Sequence, residues 1–270
     1  MITRRGLPLL LLTLFGGVAP AAAQQARSAE RPIRALYVTG GGFHDFVALE
    51  QIVPPAISAR TNIAWTIDHT AGKSTEALIP RHQTRAWADS FDVVVYNMSF
   101  SFVVDPQWIE RIVEAHREKG VAAVILHGAV HSYRRSTTEA WKQLMGASSM
   151  RHDPQRVFHL ERIADHPIVN GLPKEWNPGS DELYVIEKSW PGFTPLVQGW
   201  SVDGGTHHPV VWTNTLGKAK VFVTSFGHPT VVMSDPVYLD LITRGLLWTV
   251  DKLAADGTPV AGYGPRRVGP

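Results

Sequence analysis

The chain has 270 residues, 44% hydrophobic and 19% charged, with 12 histidines and no cysteine. That length suits one large domain or two small ones, and the missing thiol excludes disulfides, thiolate metal ligands and cysteine nucleophiles. The formal net charge of +2 equals the contribution of Arg4 and Arg5 near the N-terminus. The rest is formally neutral and free of basic clusters, which argues against nucleic acid and electrostatic membrane binding.

Arg4-Arg5 precede an apolar stretch over 7–18, and Ala21-Ala22-Ala23 offers small residues for cleavage before Gln24. The stretch is too short and too proline-marked for an anchor, so no stable membrane insertion is expected. Residues 1–23 therefore read as a signal peptide that sends the protein to the periplasm or outside the cell. Thr3-Arg4-Arg5 is compatible with twin-arginine export. Residues 24–32 read as a mobile leader, 33–253 as the folded domain, and 254–270, rich in Gly, Pro and Arg, as a loose tail.

Residues 33–38 read as a first strand, followed by Thr39-Gly40-Gly41-Gly42-Phe43-His44-Asp45. Glycines between a strand and a helix let the backbone approach a ligand, and Asp45 suits the N-cap of a helix over 46–59. The pattern is not G-x-G-x-x-G, so a dinucleotide is rejected. Strands are expected over 63–67 and 91–96. Asp105-Pro106 opens a helix that Gly120 stops. Residues 121–126 are a continuous run of small and branched residues, the mark of a strand buried on both faces. It ends in His127-Gly128-Ala129, the strand–turn–helix position that presents a nucleophile in hydrolases, and a helix over 137–146 follows. Alternating strands and helices imply an α/β fold with a parallel sheet covered on both faces.

Further strands are expected over 157–163 and 183–186, and a hairpin over 210–213 and 220–224. A helix is expected from Tyr238 to Leu253, with Leu239, Ile242, Leu246 and Val250 on one face. Arg134-Arg135 reads as a solvated basic turn rather than an anion site. His166-Pro167 reads as a structural turn. Trp190, Trp200 and Trp212 are either sugar-stacking or core residues.

His44, His127 and His228 each follow an apolar run and come with glycine or proline, so all three are expected on one rim of the sheet. With Glu182 they form the candidate catalytic set. Gly41, Gly42, Asp45, Gly128, His131, Tyr184 and His208 are the candidates for substrate contact. Imidazoles and a carboxylate converging in a cleft serve acid–base chemistry or metal binding. No motif demands a cofactor. A divalent metal such as zinc, on His44, His127 and His228, is the one the donor types admit.

Four pieces carry a resemblance: 122–129; His166-Pro167 through Pro173; Asp181-Glu182-Leu183-Tyr184; and Pro209 to Trp212 with Gly217 to His228. With them the chain resembles the ThuA-like (trehalose utilisation) family, within the class I glutamine amidotransferase-like fold. The resemblance implies a flavodoxin-like three-layer α/β/α fold, a mostly parallel sheet with added antiparallel strands, and a link to carbohydrate catabolism. It departs from amidotransferases in chemistry. Phe226-Gly227-His228-Pro229-Thr230 is similar to their Phe-His-Pro-Glu motif with an inserted glycine and no acid, and the elbow holds His127 where they place cysteine. Glutaminase chemistry is excluded.

The expected function is an exported enzyme acting on a small-molecule carbohydrate, such as a keto-glycoside. His127 and His228 would be general acid and base, Glu182 would orient an imidazole or take a proton, and His44 would contact substrate or metal. A non-catalytic carbohydrate-binding module, a divalent-metal-dependent hydrolase and a scaffold in a larger complex are the rivals, and a homo-oligomer stays open.

Overall fold

Valine, isoleucine and alanine after Gly120 build the centre of a nine-stranded sheet. The computed structural model describes residues 30–265, so the expected signal peptide and most of the leader lie outside the described residues. The first half runs β1 (Ile33–Gly41), α1 (Phe46–Ser58), β2 (Ile63–Thr70), β3 (Val93–Ser99), α2 (Pro106–Lys119), β4 (Ala122–Leu126) and α3 (Ala140–Met145). Short strands follow: β5 (Ala147–Ser148), β6 (Arg156–Val157), β7 (Leu160–Arg162), β8 (Glu175–Trp176), β9 (Ser180–Asp181) and β10 (Lys188–Ser189). The chain ends with β11 (Thr194–Ser201), β12 (Thr206–Leu216), β13 (Ala219–Thr224), α4 (Thr230–Met233) and α5 (Pro236–Thr249).

The main sheet has the order β2-β1-β3-β4-β13-β12-β11-β7-β8. Its first five strands are parallel, in the 2-1-3-4-5 order of flavodoxin-like folds. The last four are added antiparallel. Side chains alternate between two cores: Val93, Val95, Val124 and Leu126 meet α1 and α5, while Val94, Tyr96, Ala123 and Ile125 meet α2 and α3. Burial of each large apolar side chain contributes about 1.5–3 kcal/mol, and it is this two-sided demand that makes the central runs continuous rather than alternating. The result is the expected three-layer α/β/α architecture.

Local signals set the helix ends. Asp105 accepts from Gln107 N and Trp108 N, Pro106 follows it, and Gly120 ends α2 at φ 77°. The same device, Asp235 before Pro236, starts α5 two residues earlier than expected, and the helix ends at Thr249. β12 and β13 form the expected hairpin, closing at Leu216 and Ala219. Among the described residues, no helix is long and apolar enough to cross a membrane.

Three expectations need correction. Residues 183–186 are not a strand: only Tyr184 bridges His152, because the burial of Leu183, Tyr184 and Val185 reports packing, which periodicity cannot separate from pairing. The run 157–163 divides at Phe158–His159 between two sheets. Residues 254–265 are not loose. Leu253 bridges Pro259, Thr61 Oγ1 donates to Tyr263 O at 2.6 Å, and Tyr263 joins the core. At the other end Arg31 pairs with Asp92, so the last leader residues are also tied down.

Two buried histidines, His116 on α2 and His82 packed near it, make the fold acid-sensitive. His116 Nδ1 donates to Val121 O at 2.6 Å, so its Nε2 accepts from Tyr96 Oη at 2.8 Å. Burial pushes its pKa down to about 4, against the pull of the Val121 carbonyl. His82 lies edge-on to Trp87, and burial, then His116 and Arg81, push it down to about 3. The unfolded chain takes up these protons near pH 6.5, so the stability present above that value is lost as pH falls toward 4 and 3. At pH 5 the loss is about 2 kcal/mol for each histidine. Urea unfolding at pH 7.5 and pH 5 should give separated midpoints, and His82→Phe should narrow the gap; coincident midpoints would refute the assignment.

Candidate active site

The carboxyl ends of β1, β3, β4 and β13 meet where the strand order reverses, the place where open α/β sheets bind ligands. Each strand delivers a polar residue there: His44 beyond β1, Ser99 at the end of β3, His127 at the end of β4 and His228 beyond β13. His127 sits at φ 38°, a left-handed conformation that costs a β-carbon-bearing residue on the order of 1–3 kcal/mol and persists where the surroundings hold it. Gly128 makes room for the cluster, since a Cβ there would lie 2.6 Å from His44 Nε2.

A cavity of about 230 Å³ opens over this rim, lined by residues that include His44, His131, His152, Glu182, Tyr184 and His228. Glu182 reaches into it. Its Oε2 is 3.7 Å from His127 Nε2, 3.7 Å from His152 Nε2 and 3.6 Å from His228 Nδ1. His127 is buried, with Nδ1 donating to Ser225 O at 2.8 Å. That fixes Nε2 as the lone-pair nitrogen, and Tyr184 Oη donates to it at 3.3 Å. Burial, then His44, holds the His127 pKa well below its ordinary value. Burial, then His228 and His152, pushes His44 down to about 3. Both rings are therefore neutral at pH 7, and the Glu182–His127 contact is not an ion pair. Burial, then Arg134, also keeps His131 neutral; its ring stacks flat on Tyr184, with centroids 3.8 Å apart.

Asp181 anchors the arrangement. It is fully buried and accepts from Gly227 N at 2.7 Å, His228 N at 3.0 Å and Glu182 N at 2.7 Å. Burial pushes its carboxyl up to about 6, and these three N–H groups pull the other way. One side chain thus locks the backbone of both Glu182 and His228.

The structure brings His44, His127, His228 and Glu182 together, with Gly128, His131 and Tyr184 beside them. It places the other expected contacts elsewhere. Gly41 is inside β1, and a Cβ there would lie 2.1 Å from Ser99 O, so it serves strand–strand approach. At Gly42 a Cβ would meet Thr75. Asp45 is exposed and caps α1, accepting from Ala48 N. His208 Nδ1 accepts from Ile186 N outside the cavity, and His166 caps a short turn. Trp212 is core, Trp200 lines a separate depression, and Trp190 lies under Lys188.

His152, which no sequence motif marks, and Arg134, expected in a solvated turn, also line the cavity. His152 follows no apolar run and so carries no local signal. Ser99 and Ser101 also line the cavity and do follow one. Wider depressions exist, one of about 460 Å³ at the amino ends of the strands, but they gather no converging imidazoles.

Fold and site together define a flavodoxin-like α/β protein with a histidine–carboxylate cavity at the switch point of its sheet. The chain belongs to the ThuA family, described as trehalose utilisation, whose sequence pattern matches residues 55–249. A ThuA-like protein from Parabacteroides merdae is similar in structure, at 19% identity and a TM-score of 0.64, covering 87% of this chain and 98% of its own. Another from Bacteroides uniformis is similar at 17% identity and a TM-score of 0.63, with the same coverage. A carbohydrate deacetylase shares the fold at 10% identity and a TM-score of 0.50, covering 83% of this chain and 33% of its own. No curated protein sequence matches the chain significantly.

Proposed function

We propose that this protein is an exported carbohydrate-processing enzyme, acting in the periplasm or outside the cell on a glycoside that carries a ketone. The observation that carries the reading is one carboxylate oxygen, Glu182 Oε2, in the cavity and held 3.6–3.7 Å from three imidazole nitrogens. Family membership supports the sugar. A ketone acidifies the neighbouring C–H, and a carboxylate with imidazoles beside it can take that proton and return it to oxygen or carbon without a covalent intermediate. Elimination, isomerisation and hydration all begin or end with such a transfer. Glu182 is the proton carrier in this scheme, His228 and His152 its exchange partners, and Tyr184 with His131 a flat wall beside them.

A keto-glycoside incubated with the protein in deuterated water should acquire deuterium at the carbon next to the ketone and go on to product, as followed by proton NMR. Saccharide binding with neither exchange nor product would sink the enzyme reading and leave the carbohydrate-binding module.

A further inference from the structure

The three histidines at the strand ends have a geometry that proton transfer alone does not require. Their ring centroids are 5.0 Å apart for His44–His127, 4.7 Å for His44–His228 and 5.4 Å for His127–His228. The rings meet nearly edge-on, at 80°, 67° and 77°. One nitrogen from each lies within 4.8 Å of the other two. Three imidazoles bound tetrahedrally to one ion through bonds of about 2.0–2.1 Å would have centroids roughly 5 Å apart. The triangle already has that size.

Hydrogen bonding points the same way. His127 donates Nδ1–H to a backbone carbonyl, Ser225 O, the outer contact that orients a ligating histidine and turns its Nε2 lone pair toward an ion, in place of the 3.3 Å bond that this nitrogen accepts from Tyr184 Oη. His228 Nδ1 and His44 Nδ1 are buried and have no hydrogen-bond partner. Unpartnered buried nitrogens are uncommon in native folds and call for an explanation such as an ion. Glu182 brings an anionic oxygen to the edge of the same centre, within 3.6–3.7 Å of His228 Nδ1 and His127 Nε2. Imidazole donors select borderline ions of the zinc class over magnesium or calcium, which prefer oxygen.

We propose that His44, His127 and His228 form a three-imidazole site for one divalent cation of the zinc class, with Glu182 beside it. The site opens on the cavity, so the ion would face a bound sugar oxygen and supply positive charge there. With the cation in place, the proton work falls to Glu182 and His152. The inference stands on donor geometry and holds for any substrate.

The test uses the purified chain stripped with a chelator and then titrated with zinc sulfate in a calorimeter, without substrate. One ion per chain is expected. His228→Ala should weaken binding at least 100-fold, whereas His207→Ala, an exposed ring beside Trp200, should leave it unchanged. Zinc should raise the melting temperature of the wild type and not of His228→Ala. Cobalt(II) should bind with the visible absorption of a tetrahedral ion. Absence of stoichiometric binding, or equal affinity in the wild type, His228→Ala and His44→Ala, would overturn the site. Because substrate is absent, such a failure leaves the acid–base reading to be judged by deuterium exchange.

Discussion

Glu182→Gln should lower turnover of a keto-glycoside by about 10²–10⁴-fold, the usual worth of a positioned acid or base, while leaving the fold intact. Glutamine keeps the length and shape of the side chain, so the cavity wall survives. What it removes is the negative charge and basicity of the one oxygen that reaches His127, His152 and His228. The main-chain anchor stays, because the bond from residue 182 to Asp181 is made by the backbone N–H. Stability should therefore change by less than about 1 kcal/mol, as for a substitution that touches neither core nor a satisfied buried network. The measurement is kcat by NMR alongside the melting temperature. Turnover unchanged in a folded variant would remove Glu182 from the chemistry. A fall in kcat without a matching rise in KM would place its action in the transition state rather than in binding.

Much of the fold was legible because the central strands are buried on both sides. Residues 93–96 and 122–126 must be apolar at every position, and that continuous pattern survives in a one-dimensional reading. The strand ends were legible for a related reason: Gly128, Gly227 and the glycines after residue 39 mark places where a side chain would collide. What stayed hidden depends on contacts between distant parts of the chain. Leu183 and Val185 are buried like strand residues, yet their backbone pairs with 151–153 at a single bridge. Tyr263 belongs to the core through Thr61, a neighbour in space about 200 positions earlier. His152 reaches the cavity because Asp153, also buried, accepts from Ser201 Oγ, Val202 N and Asp203 N and so pins the segment. A histidine held by such a brace has no periodic signal to announce it. His208 shows the converse, since its place by a late strand looked functional and its ring only accepts a backbone N–H.

Asp181→Asn should be the more damaging change, although the residue touches no substrate. The carboxylate offers two acceptor oxygens to three backbone donors: Oδ1 serves His228 N and Glu182 N, and Oδ2 serves Gly227 N. Asparagine keeps one acceptor and turns an NH₂ group toward a third N–H in a site closed to water. Each buried donor left unpaired costs on the order of 1–3 kcal/mol, and the total loss should be about 2–4 kcal/mol, or a melting-temperature drop of roughly 5–15 °C for a domain of this size. Asp45→Asn provides the contrast, because an exposed N-cap accepts asparagine as readily as aspartate and should shift melting by little. Release of the Gly227–His228 backbone should also lower kcat, since His228 would lose its fixed distance from Glu182. Asp181 is in this sense a positioning residue. The discriminating result is the pairing of the two effects: Asp181→Asn melting within 1–2 °C of the wild type, or a large melting drop with undiminished kcat at a temperature where the variant is folded, would show that the loop carrying His228 is held by something else.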